Sequence, residues 1–293
     1  MTVESFLHYL RYERNYSEKT IVSYGIDLKE FQGYLNGLDS ELKLENVDSD
    51  IVRGWVVKLM ESGMSGASVN RKLSALRTFY KYLLKKKMIT VDPMSIVKGP
   101  KRKKPLPTFV REEDMDKLLD GDFFDDSFEG VRDKLIMTMF YETGMRLSEL
   151  ISLDDADIDL FSNVIKVTGK RNKQRLIPFG ENLKCEIQSY LECRNIAVGC
   201  SCEAFFVRKN GKRLYQMLVY KLVKQNLSKV VVLKKRSPHV LRHSFATAML
   251  NNDAELEAVK ELLGHESVTT TEIYTHTTFE ELKKVYKQAH PRA

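Results

Sequence analysis

The sequence predicts a mainly α fold in two domains: an N-terminal helical bundle, then a mostly helical α+β domain with a small antiparallel sheet. Apolar residues recur at helical spacing through most of the 293 residues. The run Lys98-Gly-Pro-Lys-Arg-Lys-Lys-Pro-Leu-Pro107 interrupts that periodicity with cations and prolines that cannot pack as a helix. Two short apolar stretches in the second half flank one polar turn. Residues 1–97 are therefore assigned to the bundle, 98–107 to an extended basic linker and 108–293 to the second domain.

In the bundle, four helices are read from Phe6, Leu7 and Leu10; from Ile21, Tyr24, Leu28, Phe31 and Leu35; from Val52, Trp55, Val56 and Leu59; and from Leu73, Leu76, Phe79, Tyr80 and Leu83. Ser17 precedes the second helix, and Ser65 or Ser68 the fourth, where a hydroxyl caps otherwise unpaired N–H groups. After the linker, Glu112 to Leu119 and Val131 to Tyr141 read as helices, the second apolar enough to be central, and Gly144 ends it. Val164 to Val167 and Leu176 to Pro178 flank the turn Thr168 to Arg175, and Ala204 to Val207 ends near the turn dipeptide Asn210-Gly211; these three runs are expected to form the sheet. Helices are expected again over Gln216 to Ser228, Pro238 to Asn251, Glu255 to Leu263 and Phe279 to Gln288.

Composition excludes several classes. With 43% hydrophobic and 30% charged residues the chain is neither collagen-like nor low-complexity. No apolar run reaches the roughly 18 residues of a membrane span, and Glu4, Arg11 and Glu13 break any secretory leader. A soluble, unsecreted, cytoplasmic protein is expected, with no membrane span. Cys185, Cys193, Cys200 and Cys202 are too few and too local for a disulfide framework and match no common zinc spacing, so they read as reduced thiols. A net charge of +7 and a pI near 9.0 point to a polyanionic partner.

Several residues carry chemistry. Ser237-Pro-His-Val-Leu-Arg-His-Ser-Phe-Ala246 opens a helix at Pro238 and gathers His239, Arg242 and His243 at an end that attracts anions. His239 and His243 are spaced like metal ligands, but no Glu stands between them and Arg242 adds a cation, which disfavours zinc. Arg146 follows the Gly144 break, with Glu149 one turn on and able to orient it. Lys170 lies in the hairpin turn, where a tip can carry an ammonium to a ligand. His265 follows the helix stop Leu262-Leu-Gly, and Tyr274 lies in Thr269-Thr-Thr-Glu-Ile-Tyr-Thr-His276. Asp154-Asp-Ala-Asp-Ile-Asp159 offers carboxylates for a rival, metal-dependent chemistry, but Leu160 defeats a calcium-loop reading and the run leads into a strand.

Taken in order, Arg146, Lys170, His239, Arg242, His265 and Tyr274 resemble the tyrosine recombinase (integrase) family over essentially the whole chain. The likeness is nearest to Xer-type site-specific recombinases, through Thr143-Gly-Met-Arg-Leu-Ser-Glu-Leu150, Gly169-Lys170, His239-Val-Leu-Arg-His-Ser-Phe-Ala246, Leu263-Gly-His265 and Ile273-Tyr-Thr-His276. Tyr16-Ser-Glu-Lys-Thr20, Tyr24 and Ser68 to Arg77 resemble the family's SAM-like core-binding domain. Asn251-Asn-Asp-Ala254 departs from the usual glycine-containing loop, and Cys193 to Cys202 has no counterpart.

The resemblance implies an enzyme that cuts and rejoins DNA through a 3′-phosphotyrosyl intermediate, without metal, ATP or any cofactor. Tyr274 would be the nucleophile, Arg146 and Arg242 the phosphate clamp, His239 the base, His265 a donor to the phosphate and Lys170 the acid for the departing 5′-oxygen. It also implies DNA contacts from Ser17, Lys19, Arg71, Lys72, Arg77, Lys101 and Arg102, with two basic domains closing around a duplex. One nucleophile per chain implies a tetramer on two double-stranded sites, with or without a second related recombinase. Phe279, Leu282 and Val285 would contact a neighbour or fold back on their own subunit. The expected role is bacterial, nucleoid-associated resolution of chromosome or plasmid dimers. Mobile-element integration or transposition by the same chemistry is the alternative, followed by a DNA-binding relative without catalysis.

Overall fold

Caps and apolar stripes account for the helices of the first half. In the computed structural model, which describes residues 2–101, 108–169, 172–198, 202–233, 235–264 and 276–293 (side chains of the last run from 279), these are α1 (Thr2–Tyr12), α2 (Glu18–Leu38), α3 (Ser49–Glu61) and α4 (Gly66–Lys85). Ser17 Oγ accepts from Thr20 N at 3.3 Å, and Asp48 Oδ1 accepts from the N–H groups of Asp50 and Ile51. Ser65, not Ser68, caps α4, accepting from Ser68 N at 3.2 Å. Such caps are each worth about 1 kcal/mol. The stripes meet in a core of Phe6, Leu28, Phe31, Trp55, Leu73, Leu76 and Phe79. Contacts divide the chain into two units, Met1–Pro105 and Leu106–Ala293.

The second unit holds α5 (Glu112–Asp120), α6 (Phe128–Thr143), α7 (Leu147–Ser152), β1 (Ile158–Asp159), β2 (Val164–Thr168), β3 (Gln174–Pro178), α8 (Glu181–Ala197), α9 (Gln216–Val230), α10 (Pro238–Asn251), α11 (Leu256–Leu263) and α12 (His276–Ala289). As expected from its apolar residues, α6 is central: every residue from Leu135 to Thr143 is buried, between α8 and α10. The sheet is antiparallel in the order β1-β2-β3, with Ile165 opposite Ile177 and Val167 opposite Arg175.

Two expectations are corrected. Ala204 to Val207 is not a strand of this sheet; it makes only isolated bridges, Asp154 to Ala204 and Val207 to Arg213. All four of its residues are buried, and Phe205 and Phe206 pack on Tyr190 of α8, so the run fills the helical core instead of alternating on a pleat. The third strand is the two-residue β1. The 17-residue α8 was not anticipated, although Leu183, Ile187, Tyr190 and Arg194 give it a buried face. Cys185, Cys193 and Cys202 are free thiols, and Cys200 lies outside the described residues. No described helix is long and apolar enough to cross a membrane.

The last helix folds back on its own subunit. Leu282, Tyr286 and Ala289 are buried with Phe245 and Met249 of α10 and Leu262 of α11, and Val285 packs against them. Beyond α12, the His290 ring stacks on Tyr286 and Phe245, and Arg292 pairs with Asp116 and Asp120. Glu142, fully buried beneath this tail, accepts no hydrogen bond from a described residue, and Arg292 Nε stands 3.6 Å away.

Burial first, then the charge of Glu186, pushes Glu142 up to about 8 against the pull of Arg292. Burial pushes His290 down to about 4. A carboxyl whose folded pKa is raised loses stability as pH rises from its unfolded value, about 4.3, to 8; a histidine whose folded pKa is depressed loses it as pH falls from about 6.5 to 4. The two slopes oppose each other up to pH ~6.5, and above that only Glu142 acts. Glu142→Gln is therefore expected to abolish a decline of roughly 1 kcal/mol per pH unit between pH 6.5 and 8, read from urea unfolding at each pH. An unchanged slope refutes the assignment.

Candidate active site

Gly144 starts the site. Its φ of +58° ends α6 in the left-handed region, and a β-carbon there would stand 2.6 Å from Phe245 and 2.7 Å from Leu263, so only glycine lets α6, α10 and α11 approach this closely. The chain turns through buried Met145 to Arg146, the N-cap of α7. Glu149, one turn into α7, accepts from the Arg146 backbone N–H through Oε2 (2.7 Å) and from Arg146 Nη1 through Oε1 (2.8 Å). The guanidinium is thus aimed by the residue three positions on, as the spacing suggested, and it remains partly exposed.

Arg242 comes from the second turn of α10 and is buried. Its Nη1 donates to Gly144 O at 2.7 Å and its Nη2 to Leu263 O at 2.5 Å. Burial, then the nearby cations Arg146 and Arg175, push it down to about 9, partly offset by Glu149. It remains a cation at neutral pH. Sequence reasoning missed Arg175, on the inward face of β3. This buried guanidinium grips both oxygens of Glu149 and donates through Nε to Leu262 O at 2.8 Å. The signal was present: in Gln174-Arg-Leu-Ile177 the arginine shares the inward face with Ile177, where a charge needs a buried partner.

The three arginines therefore converge on the end of α11. Arg175, Arg242 and Arg146 donate in turn to the carbonyls of Leu262, Leu263 and Gly264, the last at 2.8 Å. Helix C-termini carry partial negative charge and attract cations. Three guanidiniums face one carboxylate, Glu149, so the cluster holds an excess of positive charge and can receive an anion.

His239 is exposed in the first turn of α10, one turn before Arg242, and His243 is exposed in the next turn. Gly169 N donates to Lys173 O at 2.7 Å across the β2–β3 turn, and a β-carbon on Gly169 would lie 3.4 Å from Glu149 Oε1. Lys170, His265, Tyr274 and Arg102 lie outside the described residues.

The acidic run is committed elsewhere. Asp154 pairs with Arg213, Asp155 with Arg194 and Asp157 with Lys166, while Asp159 accepts from the backbone of Phe161 and Ser162. In the first unit, Ser17 and Lys19 are exposed at the start of α2, and Lys101 is exposed. Arg77 donates to Val97 O, and Arg71 pairs with Asp27 while its side chain stays half-exposed. Lys72 faces inward, buried between Asp27 and Glu30, so it ties α4 to α2 and offers no free ammonium at the surface.

Comparison with known proteins places this geometry among relatives. The phage integrase family matches residues 108–281, and the phage integrase N-terminal SAM-like domain matches residues 3–87. The chain is 39% identical to the tyrosine recombinase XerC of Chlorobaculum parvum, over 99% of its own length and 94% of that protein's. It is 34% identical to the tyrosine recombinase XerD of Oceanobacillus iheyensis, over 99% and 98%. Among solved structures, it superposes on the XerH site-specific recombinase bound to a palindromic difH substrate in a post-cleavage complex. That match has a TM-score of 0.73 and 25% identity, and covers 92% of this chain and 80% of the other.

Proposed function

This chain belongs to the phage integrase family and is a tyrosine site-specific recombinase, and on that premise we propose that it cleaves and rejoins DNA through an ester on Tyr274. The phenol oxygen attacks the scissile phosphorus, the P–O bond to the 5′-carbon breaks, and a 3′-phosphotyrosyl link remains. The tyrosine proton passes to His239, and the departing 5′-oxygen takes one from Lys170. A 5′-hydroxyl from another strand reverses the step. The bond energy stays in the ester, so no ATP is consumed.

The observation that carries this reading is the convergence of Arg146 and Arg242 on neighbouring carbonyls of one helix end. A phosphodiester gains negative charge on its non-bridging oxygens during displacement, and fixed guanidiniums stabilise that state beyond the ground state. His265 follows Gly264 directly in sequence and is assigned as a further donor to the phosphate.

The partner is double-stranded DNA, held mainly through its phosphates by Ser17, Lys19, Arg71, Arg77, Lys101 and Arg102 of the first half and by the basic recess of Lys221, Lys224 and Arg236 on the second. Lys72 serves there through the ion pairs that hold α4. The domain limits proposed are 1–97 for DNA binding, 98–107 for the linker and 108–293 for catalysis. Exchange of two duplexes requires four cuts, hence a tetramer on two sites. The near-full-length likeness to XerC and XerD supports resolution of chromosome or plasmid dimers in the bacterial cytoplasm, at the nucleoid.

The test uses nicked duplexes enriched from a randomised pool by binding to the protein. Wild type becomes covalently attached to the 3′ end with EDTA present, and Tyr274→Phe binds without attachment. Attachment that survives in Tyr274→Phe, or that EDTA abolishes and Mg²⁺ restores, overturns the proposal.

A further inference from the structure

We infer that Arg175 is a positioning residue for strand cleavage: it fixes the Glu149 carboxylate in the one orientation that aims Arg146 at the scissile phosphate. The inference rests on the recombinase reading of Arg146 and deepens it.

Glu149 is 1% exposed, and among the described residues its two carboxylate oxygens accept from two arginines. Oε1 accepts from Arg146 Nη1 and Arg175 Nη1, both at 2.8 Å; Oε2 accepts from Arg146 N at 2.7 Å and Arg175 Nη2 at 2.9 Å. Four donors saturate a carboxylate, which then has no freedom to rotate. Arg146 supplies two of them and is the member that stays partly exposed. Arg175 supplies the other two as a planar fork, from a strand whose register opposite Val167 fixes its direction. Its Nε is spent on Leu262 O, so the fork cannot turn toward a substrate. Gly264 closes the arrangement. Its φ is +64°, and a β-carbon there would come within 3.1 Å of Arg175 Cδ and Nη1, so the backbone that accepts from Arg146 also rests on Arg175.

Removing the fork leaves Glu149 buried with half its donors. Burial pushes this carboxyl up, and at present Arg175 first and Arg146 second more than offset it, holding it below the usual carboxylate range. The charged groups facing it among the described residues are Arg146 at the start of α7, Arg175 on β3 and Arg242 from α10. With Arg175 gone, the largest opposition to burial is lost and the Glu149 carboxyl shifts upward, toward its protonated form. A protonated Glu149 holds Arg146 through one weaker contact.

The experiment uses the full chain and the nicked duplex described above, and compares wild type, Arg175→Gln, Arg175→Lys, Glu149→Gln and the double variant Arg175→Gln/Glu149→Gln. Duplex affinity and single-turnover cleavage are measured separately from pH 6 to 9. The expected results are affinities within about threefold of wild type and cleavage slowed roughly 10- to 100-fold in Arg175→Gln. The Arg175→Gln deficit, taken as a ratio to wild type, shrinks as pH rises. Arg175→Lys, which keeps the charge and loses the fork, shows a deficit that does not vary with pH. The double variant is no slower than Glu149→Gln alone, because the effect of Arg175 on cleavage runs through Glu149.

Additive losses in the double variant overturn the inference, as does an Arg175→Gln chain that cleaves within twofold of wild type. Should Arg175→Gln fail to fold, Arg175→Lys carries the comparison of cleavage with affinity; failure of both to fold makes Arg175 a purely structural residue and ends the inference. A wild type that attaches through Tyr274 while the Arg175 variants match it sinks this inference alone. Attachment that persists in Tyr274→Phe sinks the recombinase mechanism first.

Discussion

Arg242→Gln is expected to slow single-turnover strand cleavage by about 10²- to 10³-fold, the usual cost of one fixed donor to a developing oxyanion. A glutamine amide is shorter and uncharged. It cannot span the carbonyls of Gly144 and Leu263, which the guanidinium bridges, and it brings no cation to the phosphate. Duplex affinity is expected to fall much less, because the proposed phosphate contacts elsewhere in the chain are untouched. The assay separates the two effects: nicked duplex in excess gives the cleavage rate at saturation, and titration gives the affinity. A rate within tenfold of wild type removes Arg242 from the clamp.

The second large effect concerns stability. Glu149→Ala is expected to destabilise the second unit by about 3–5 kcal/mol, since it leaves the buried Arg175 guanidinium without a counter-charge and takes the main opposing charge from Arg242. The chain's single tryptophan, Trp55, is buried in the first unit, so its fluorescence follows that unit alone, whereas far-ultraviolet circular dichroism follows both. In urea, the circular dichroism transition of the second unit moves to lower concentration while the Trp55 transition stays in place. A joint shift of both signals, or none, contradicts the assignment of Glu149 as the counter-charge of the cluster.

Much of this was legible before any coordinates. Helices α2, α4, α6 and α10 announced themselves because apolar residues recur along each at helical spacing. Arg146 and Glu149 were readable as a pair because three residues on a helix bring side chains together whatever the surroundings. Most of what was missed shares a cause: charges placed on core-facing stripes. Lys72 lies between Val69 and Leu76 on the inner stripe of α4, and Asp27 between Tyr24 and Phe31 on that of α2; read together, they name each other as partners. Arg175 is the same case on a strand, and Arg194 closes the buried face of α8. Periodicity alone did not show that Lys72 is held by Asp27 and Glu30 or that Arg175 is held by Glu149. Ala204 to Val207 failed differently, since a short run buried on every side has no period to distinguish a strand from core filling.

The last turn of α11 has a consequence for the unliganded enzyme. Three like charges crowded beside one acid would ordinarily drift apart until substrate arrived, and the arriving anion would bear the cost of regathering them. Here successive backbone oxygens of residues 262–264 already act as a placeholder for that anion, each occupied by one guanidinium. Among the described residues, Arg146 and Arg242 each engage two of their five N–H groups, one on these oxygens and one on Glu149 or Gly144 O. On the clamp proposed above, the cradle stands before DNA enters, and its remaining donors need little reorganisation to meet a phosphate.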